Sequence, residues 1–199
     1  MSETHILLAR HPETTANVEG RWVGRGNAPF TPDGERQVEE LVDAIDAFGP
    51  DIVWSSPLER TAVPAGLAAA RLGVEHRRDE RLIELHFGDA EGLTLDEASE
   101  RGIEFHFKSE RTPVAPGGES RRDILERTRS VDADIVASAS RSAVVTHGGV
   151  FRSALVDLLG LDASAIWAFH IKNAQLAYVR IIEERGILES FARLGEPLP

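Results

Sequence analysis

Three short apolar segments of the sequence each run directly into side chains that could bind an anion. Arg10 and His11 end the first segment, residues 55–57 (Ser-Ser-Pro) end the second with Arg60 one helical turn further on, and His147 follows the third. If the segments are parallel neighbours in a sheet, their carboxyl ends meet and place two histidines and two arginines in one pocket. Such a cluster is costly to assemble unless an anion neutralises it. Phosphate is the best match, because its oxygens fit the fork of an arginine guanidinium.

The elements that would position these residues alternate between strand-like and helix-like segments, which predicts an α/β domain. The predicted strands lie at 5–10, 51–54, 143–146, 175–182 and 187–194, and the main predicted helices lie at 31–48, 57–72, 120–139 and 150–159. The last two strands are expected to pair antiparallel, because only a short turn separates them. Pro64 falls inside the second helix, where we expect a kink or a restart. The prediction is one three-layer αβα domain over residues 1–199, with a mostly parallel central sheet that carries an antiparallel edge strand.

The composition limits the partners of this domain. Its 199 residues include 22 Lys and Arg against 33 Asp and Glu, a formal net charge of −11. Only Lys108 and Lys172 are lysines, so the other 20 cationic residues are arginines. An acidic chain argues against binding to nucleic acid or to an anionic membrane, since proteins that bind them carry a basic excess. The sequence has no cysteine, which excludes disulfides, thiolate metal sites and a cysteine nucleophile.

No apolar run approaches the ~18 residues that a membrane-spanning helix needs. The first run, residues 6–9, is also too short for the core of a signal peptide. A cytoplasmic location is therefore expected.

The residues around the two histidines resemble the signature of the histidine phosphatase (phosphoglycerate mutase-like) superfamily. Residues 10–14 (Arg-His-Pro-Glu-Thr) with Asn17 form the first matching block. The other blocks follow in the order of the family, over roughly residues 5–180 of the chain: Gly20-Arg21 with Gly24, Phe30-Thr31 with Gly34, Ser55-Ser56-Pro57-Leu58 with Arg60, Leu82 and Glu84 with Phe87-Gly88 and Glu91-Gly92, Pro116 with Gly118-Glu119-Ser120, and Val145-Thr146-His147-Gly148-Gly149.

This resemblance implies a mechanism. His11 would be the nucleophile and form a phosphohistidine that water then hydrolyses. Glu84 would donate a proton to the leaving oxygen and afterwards act as base on the water. Arg10, Arg60 and His147 would hold the phosphate oxygens. No metal or other cofactor is implied. The residues that we assign to substrate binding on the same motifs are Thr14, Asn17, Val23, Gly24 and Gly148.

Three positions depart from the family pattern. Pro12 stands where the family usually has glycine, so any function of that backbone N–H would be lost, although an extended His11 remains compatible with proline. Pro64 stands where a threonine is common, inside the helix that carries Arg60. Residues 89–90 (Asp-Ala) replace an aromatic residue found in many relatives, which suggests a more open pocket wall.

The expected substrate is a small phosphorylated metabolite, selected by residues 85–120 as a segment that caps the pocket. The chain resembles the small phosphatases, either α-ribazole phosphatase or a broad-specificity phosphomonoesterase. Candidate contacts in the segment are Phe105, His106, Phe107, Lys108 and Arg111.

Two other functions remain open: phosphoglycerate mutase activity, and a catalytically silent phosphate-binding module on the same fold. A dinucleotide-dependent oxidoreductase is excluded, because no G-x-G-x-x-G follows the first strand. Trp167 and Phe169 are candidates either for a homodimer interface or for the core.

Overall fold

The computed structural model describes residues 3–196 and contains one six-stranded sheet. The order of the strands across the sheet is β3-β2-β4-β1-β5-β6. Neighbours among the first four are parallel, whereas β5 is antiparallel both to β1 and to β6. The strands are β1 (Glu3–Arg10), β2 (Ile52–Ser55), β3 (Glu75–Arg78), β4 (Arg141–Thr146), β5 (Leu176–Ile182) and β6 (Arg185–Ala192).

Helices cover both faces of the sheet. They are α1 (Thr15–Val18), α2 (Pro32–Phe48), α3 (Glu59–Leu72), α4 (Leu95–Glu100), α5 (Arg121–Ser138) and α6 (Gly148–Leu158). Alternate side chains of β1 enter opposite cores, as the two-residue period of a strand requires. Ile6 and Leu8 pack with α5 and α6, whereas Leu7 and Ala9 pack with α2 and α3. The predicted three-layer α/β fold is therefore confirmed, with an antiparallel pair of strands at one edge.

The start and end of α2 follow directly from its sequence. The Thr31 hydroxyl accepts a hydrogen bond from the Gly34 backbone N–H at 2.9 Å, and Pro32 occupies the first helical position. The helix ends at Phe48, and the next residue, Gly49, has a φ of 63°, a left-handed conformation that glycine adopts without steric cost. These local signals explain why the boundaries of α2 were predictable from the sequence.

Helix α3 runs without a break through Pro64, so the restart expected as one outcome does not occur. Proline removes one helical hydrogen bond. The buried face of the helix, which includes Ala65, Ala68 and Ala69, packs against the sheet on the C-terminal side of Pro64. Tertiary packing therefore holds the helix together where its local sequence would interrupt it.

The register of the sheet brings the three predicted anion-binding segments together. Arg10 at the end of β1 lies beside Thr146 at the end of β4, and Ser55 at the end of β2 lies beside Val145. Because these strands are parallel neighbours, the residues that follow them emerge at one edge of the sheet. None of the helices within residues 3–196 is long and apolar enough to cross a lipid bilayer.

Candidate active site

A cavity of about 530 Å³ lies at this edge of the sheet. Its lining comes from the end of β1, helix α1, the first turn of α3, the first two turns of α6 and the loops around them. The lining residues are Arg10, His11, Thr14, Asn17, Arg21, Trp22, Val23, Ala28, Arg60, Glu84, Leu85, Phe87, Phe107, Gly148, Gly149, Arg152 and Trp167. Eight of the ten residues assigned to the site from the sequence are among them.

His11 is 4% exposed and is held in a single orientation by its neighbour in the chain. Its Nδ1 lies 2.7 Å from the Pro12 carbonyl oxygen. A carbonyl only accepts hydrogen bonds, so Nδ1 carries the proton and the lone pair of the neutral ring is on Nε2. Burial lowers the pKa of His11 well below 6.5, and the nearby charges of Arg10 and Arg60 lower it further. The contact uses the carbonyl of residue 12, which proline keeps, and not the N–H that it lacks.

Arg10 supplies positive charge beside this ring. One of its guanidinium nitrogens donates to the Ile171 carbonyl at 2.8 Å, whereas its buried Nε has no hydrogen-bond partner among the described residues. Burial lowers the pKa of Arg10 to about 10, against the opposing effect of Glu84 and together with that of Arg152. An arginine desolvated to this degree, with a free N–H, is the kind of group that an oxyanion stabilises.

Arg60 connects the floor of the cavity to the loop at residues 23–26. Its guanidinium donates to the carbonyls of Gly26 at 2.6 Å, Gly24 at 2.8 Å and Val23 at 3.2 Å. Its Nε donates to the Nδ1 of His147 at 3.2 Å. Burial lowers the pKa of Arg60, whereas nearby carboxylates raise it. Arg60 therefore both lines the cavity and shapes one of its walls.

His147 and Gly24 lie directly behind the cavity and not in its lining. His147 is 0% exposed, and the centre of its ring is 5.4 Å from that of His11. Because its Nδ1 accepts from Arg60, its Nε2 carries the proton and donates to the Ser56 hydroxyl at 2.8 Å. Burial lowers the pKa of His147 well below 6.5, followed by the charge of Arg60. The N–H of Gly24 donates to Glu91 at 3.0 Å.

Glu84 reaches the cavity from the residues that follow β3. Its carboxyl group accepts hydrogen bonds from the backbone N–H groups of Leu85, at 2.8 Å, and Gly149, at 3.0 Å and 3.1 Å to the two oxygens. A Cβ atom at residue 149 would collide with one of those oxygens, so a larger residue there would displace the carboxyl group. The first turn of α6 thereby holds a carboxyl group in the same cavity as the free nitrogen of His11.

Asn17 presents an amide to the cavity. Its Oδ1 accepts from the Thr14 backbone N–H at 3.0 Å, from the Thr14 hydroxyl at 2.9 Å and from Nδ2 of Asn173 at 2.9 Å. With the oxygen engaged in this way, the NH₂ group of Asn17 is the part that remains to donate to a bound molecule.

Comparison with known proteins agrees with this geometry. The family profile of the histidine phosphatase superfamily (branch 1) matches residues 6–193. The chain belongs to this superfamily. The match covers every residue assigned to the site from the sequence.

Relatives of this chain differ in length and in their names. The bifunctional protein Rv2228c of Mycobacterium tuberculosis is 32% identical over 200 residues, which cover 93% of this chain and 55% of that protein. The chain thus spans about half the length of this mycobacterial relative. Phosphoserine phosphatase 1 of Hydrogenobacter thermophilus is 27% identical over 188 residues, which cover 92% of this chain and 89% of that protein.

A solved structure shows the same fold. The mycobacterial glucosyl-3-phosphoglycerate phosphatase Rv2419c, in complex with VO₃, superposes with a TM-score of 0.86 at 27% identity. The superposition covers 96% of this chain and 99% of that chain.

Several residues of the cavity were missed from the sequence. Arg152 donates to the carbonyls of Phe169 at 2.9 Å and Gly148 at 3.0 Å. It follows the start of α6 by one helical turn, as Arg60 follows Ser56, and this spacing was a usable signal. Asn173 lies in an irregular segment and offered no such signal. Of the five contacts predicted between residues 105 and 111, Phe107 lines the cavity.

Proposed function

We propose that this protein is a phosphomonoesterase that hydrolyses a small phosphate ester through a phosphohistidine on His11. The observation that carries the proposal is the contact of 2.7 Å between Nδ1 of His11 and the Pro12 carbonyl oxygen. The Nδ1–H of His11 donates to the Pro12 carbonyl, so the Nε2 lone pair is available in a cavity lined by Arg10 and Arg60. A neutral imidazole among cationic side chains is suited to attack a phosphorus atom whose oxygens those side chains hold.

In the first step, the Nε2 lone pair forms a bond to phosphorus while the bond from phosphorus to the ester oxygen breaks. Glu84 gives its proton to the departing oxygen, and the alcohol leaves. In the second step, the Glu84 carboxylate takes a proton from water. The water oxygen bonds to phosphorus, the bond from phosphorus to nitrogen breaks, and inorganic phosphate is released.

Arg10, Arg152 and the first turn of α6 support the binding of the phosphate. The unpartnered Nε of Arg10 and the guanidinium of Arg152 both lie close to Gly148, at the N-terminus of this 11-residue helix. Two guanidinium groups and the positive end of a helix favour a dianion at this position. Asn17 contributes an uncharged donor, and the hydrogen-bonded His147 holds Arg60 in place.

The comparisons support a phosphatase without identifying its substrate. The names of the two phosphatases compared above contain different substrates, phosphoserine and glucosyl-3-phosphoglycerate. Both named substrates are small phosphorylated molecules. Hydrolysis of α-ribazole phosphate and the location in the cytoplasm stay predictions, as do the homodimer and the lack of a metal requirement.

The test is hydrolysis of p-nitrophenyl phosphate in excess chelator by the wild type, His11→Ala and Glu84→Gln, with the exposed His106→Ala as the matched control. His11→Ala should lower kcat at least ~1000-fold and Glu84→Gln ~100-fold or more, as expected for a nucleophile and a general acid. The control should match the wild type. Rapid quenching should also trap a phosphoenzyme that is stable to alkali and labile to acid, and that is absent from His11→Ala.

Each other result contradicts part of the proposal. Full activity in His11→Ala would show that His11 is not the nucleophile. Loss of activity in chelator would show that a metal is required. Phosphate bound but not hydrolysed by the wild type would point to a binding module. Transfer of the phosphate within or between phosphoglycerates, without release, would indicate a mutase.

A further inference from the structure

Aromatic side chains form one wall of the cavity. Trp22 follows α1, Phe87 and Phe107 come from residues 85–120, and Trp167 lies in the 3-10 turn Ala163–Ala168. The ring of Trp22 is 5.1 Å from that of Phe87 and 5.3 Å from that of Phe107, measured between ring centres. Trp167 meets Phe107 edge to face at 5.9 Å. Separate parts of the chain thus converge on a single aromatic surface, which we call the aromatic wall.

The aromatic wall is supported from behind and open on one side. Phe105 stacks on Phe107 with 5.2 Å between ring centres and an interplanar angle of 5°, and it also contacts Trp22. Trp167 is nevertheless 50% exposed, although it lines the cavity. A large aromatic side chain left half in water beside a cavity has apolar surface to bury against a bound molecule.

The arginines next to this wall already make ion pairs or hydrogen bonds within the protein. Among the described lining residues, Arg21 is the cation next to Trp22 in the chain. Its guanidinium is already neutralised by Glu19 at 2.6 Å and Glu97 at 2.7 Å. Arg10 and Arg152 lie beside Gly148. The guanidinium of Arg152 is also 6.0 Å from the centre of the Trp167 ring, but it already donates to the carbonyls of Phe169 and Gly148. The cavity therefore separates into a cationic floor that suits a phosphate and an aromatic wall that suits an uncharged, flat group.

We propose that the aromatic wall binds a flat aromatic ring in the alcohol part of the substrate. The preferred substrates are then phosphate monoesters of alcohols that carry an aromatic or heteroaromatic ring. This proposal rests on the proposed phosphatase function. The cavity volume of about 530 Å³ lies within the range of pockets that enclose drug-sized molecules, whereas the ester of a three-carbon acid would reach little beyond the floor.

The test compares benzyl phosphate with cyclohexylmethyl phosphate. Both release a primary alcohol and both carry a six-membered ring, so they differ mainly in whether the ring is flat and aromatic. We expect kcat/KM for benzyl phosphate to be roughly tenfold higher in the wild type, the size of effect that stacking on one aromatic side chain produces. Phe107→Leu and Trp167→Leu keep an apolar side chain and should each remove most of that preference, with little change for cyclohexylmethyl phosphate.

Phe191→Leu is the matched control, because this partly exposed phenylalanine lies on β6 and does not line the cavity. It should leave the ratio of the two kcat/KM values unchanged. Circular dichroism melting curves verify that each variant is folded.

Three results would overturn the proposal. The first is equal kcat/KM for the two esters in the wild type. The second is a loss in the leucine variants that affects both esters equally. The third is a preference for O-phosphoserine over both esters, which would mean that the cavity recognises a charged acid. The dependence of p-nitrophenyl phosphate hydrolysis on His11 is measured separately. The proposed phosphatase function can therefore hold even if the proposed substrate class is wrong.

Discussion

The chemistry of His11 depends on the groups that surround its ring. Burial and the charges of Arg10 and Arg60 disfavour the protonated form, and the Pro12 carbonyl selects which nitrogen keeps its proton. His147 is likewise buried, with Arg60 on one nitrogen and Ser56 on the other. Because both histidines are neutral, the positive charge at the floor of the cavity comes from the arginines alone.

Both histidines should remain neutral as the pH falls through 6.5. In a two-dimensional NMR titration, the ring resonances of both should keep the chemical shifts of neutral imidazole in this range, because burial lowers the pKa of each ring well below 6.5. A midpoint near 6.5 for either ring would contradict the structure.

The same depressed pKa values reduce stability in acid. Below pH 6.5 the unfolded chain binds protons at these histidines that the folded chain does not, so stability falls as the pH drops below 6.5. Denaturant unfolding at a series of pH values measures this loss. His11→Asn should reduce the slope of stability against pH, whereas the exposed His106→Asn serves as the control.

At the scale of elements, the first turn of α6 positions both the phosphate site and the carboxyl group. Gly148 lies beside the guanidinium groups of Arg10 and Arg152, and Gly149 donates its N–H to Glu84. The strand β4 leads directly into this turn through His147. Adding a single carbon atom in this turn is therefore expected to lower the rate of the reaction without unfolding the protein.

Gly149→Ala should displace the Glu84 carboxyl group, because the new Cβ would collide with its Oε1. We expect kcat for p-nitrophenyl phosphate to fall ~100-fold, as for loss of a general acid, with the protein folded, since alanine favours a helix more than glycine does. The double variant with Glu84→Gln should lose no more activity than Glu84→Gln alone. Additive losses would show that Gly149 acts independently of Glu84.

Helix α5 carries a buried carboxyl group that takes no part in the proposed reaction. Asp132 is 3% exposed, and its Oδ2 has no hydrogen-bond partner within residues 3–196. Burial raises the pKa of Asp132 well above 3.8, and Asp157 on α6 raises it further. At neutral pH, folding must therefore protonate this group or bury its charge.

Asp132→Asn should raise the free energy of unfolding at pH 7 by about 1 kcal/mol or more, because folding no longer has to bury or protonate a carboxylate at this position. The gain should disappear below pH 3.8, where the carboxyl group is protonated in both the folded and the unfolded chain. Chemical denaturation at pH 7 and in acid measures both values, with the exposed Glu126→Gln on the same helix as control. A loss of stability at pH 7 would show that the Asp132 carboxylate is stabilising.

For the whole molecule, the net charge of −11 surrounds a small cationic floor. A short phosphate ester reaches the arginines at a modest electrostatic cost, whereas an extended polyanion must lie along the acidic surface. Selectivity for small substrates then follows from the distribution of charge as well as from the shape of the cavity.

A single-stranded oligonucleotide with a 5′-phosphate should therefore be a poorer substrate than the matching mononucleotide. We expect kcat/KM to be at least ~10-fold lower at low ionic strength, with the difference shrinking as salt screens the repulsion over ~10 Å. Phosphate release at several salt concentrations measures this. A difference that does not change with salt would assign the selectivity to steric exclusion alone.

The sequence by itself determined the layered fold and the floor of the cavity. Apolar segments with a strand or helix period are local patterns, and Arg10, His11 and Arg60 are tied to the ends of such segments. Once three parallel strands are adjacent, these residues must emerge at one edge of the sheet. The acidic charge balance was likewise a property of composition alone.

Only the tertiary structure decided how deeply each site residue is buried and which residues form the walls of the cavity. His147 and Gly24 lie behind the cavity surface, where each accepts a hydrogen bond from Arg60. Asn173 reaches Asn17 across 156 positions of the chain, and the aromatic wall joins loops with no periodic pattern. Loop conformation depends on contacts distant in sequence, so no local rule places these side chains. Helix α3 shows the same effect. Its packing against the sheet keeps it continuous through Pro64, although proline by itself favours a break in a helix.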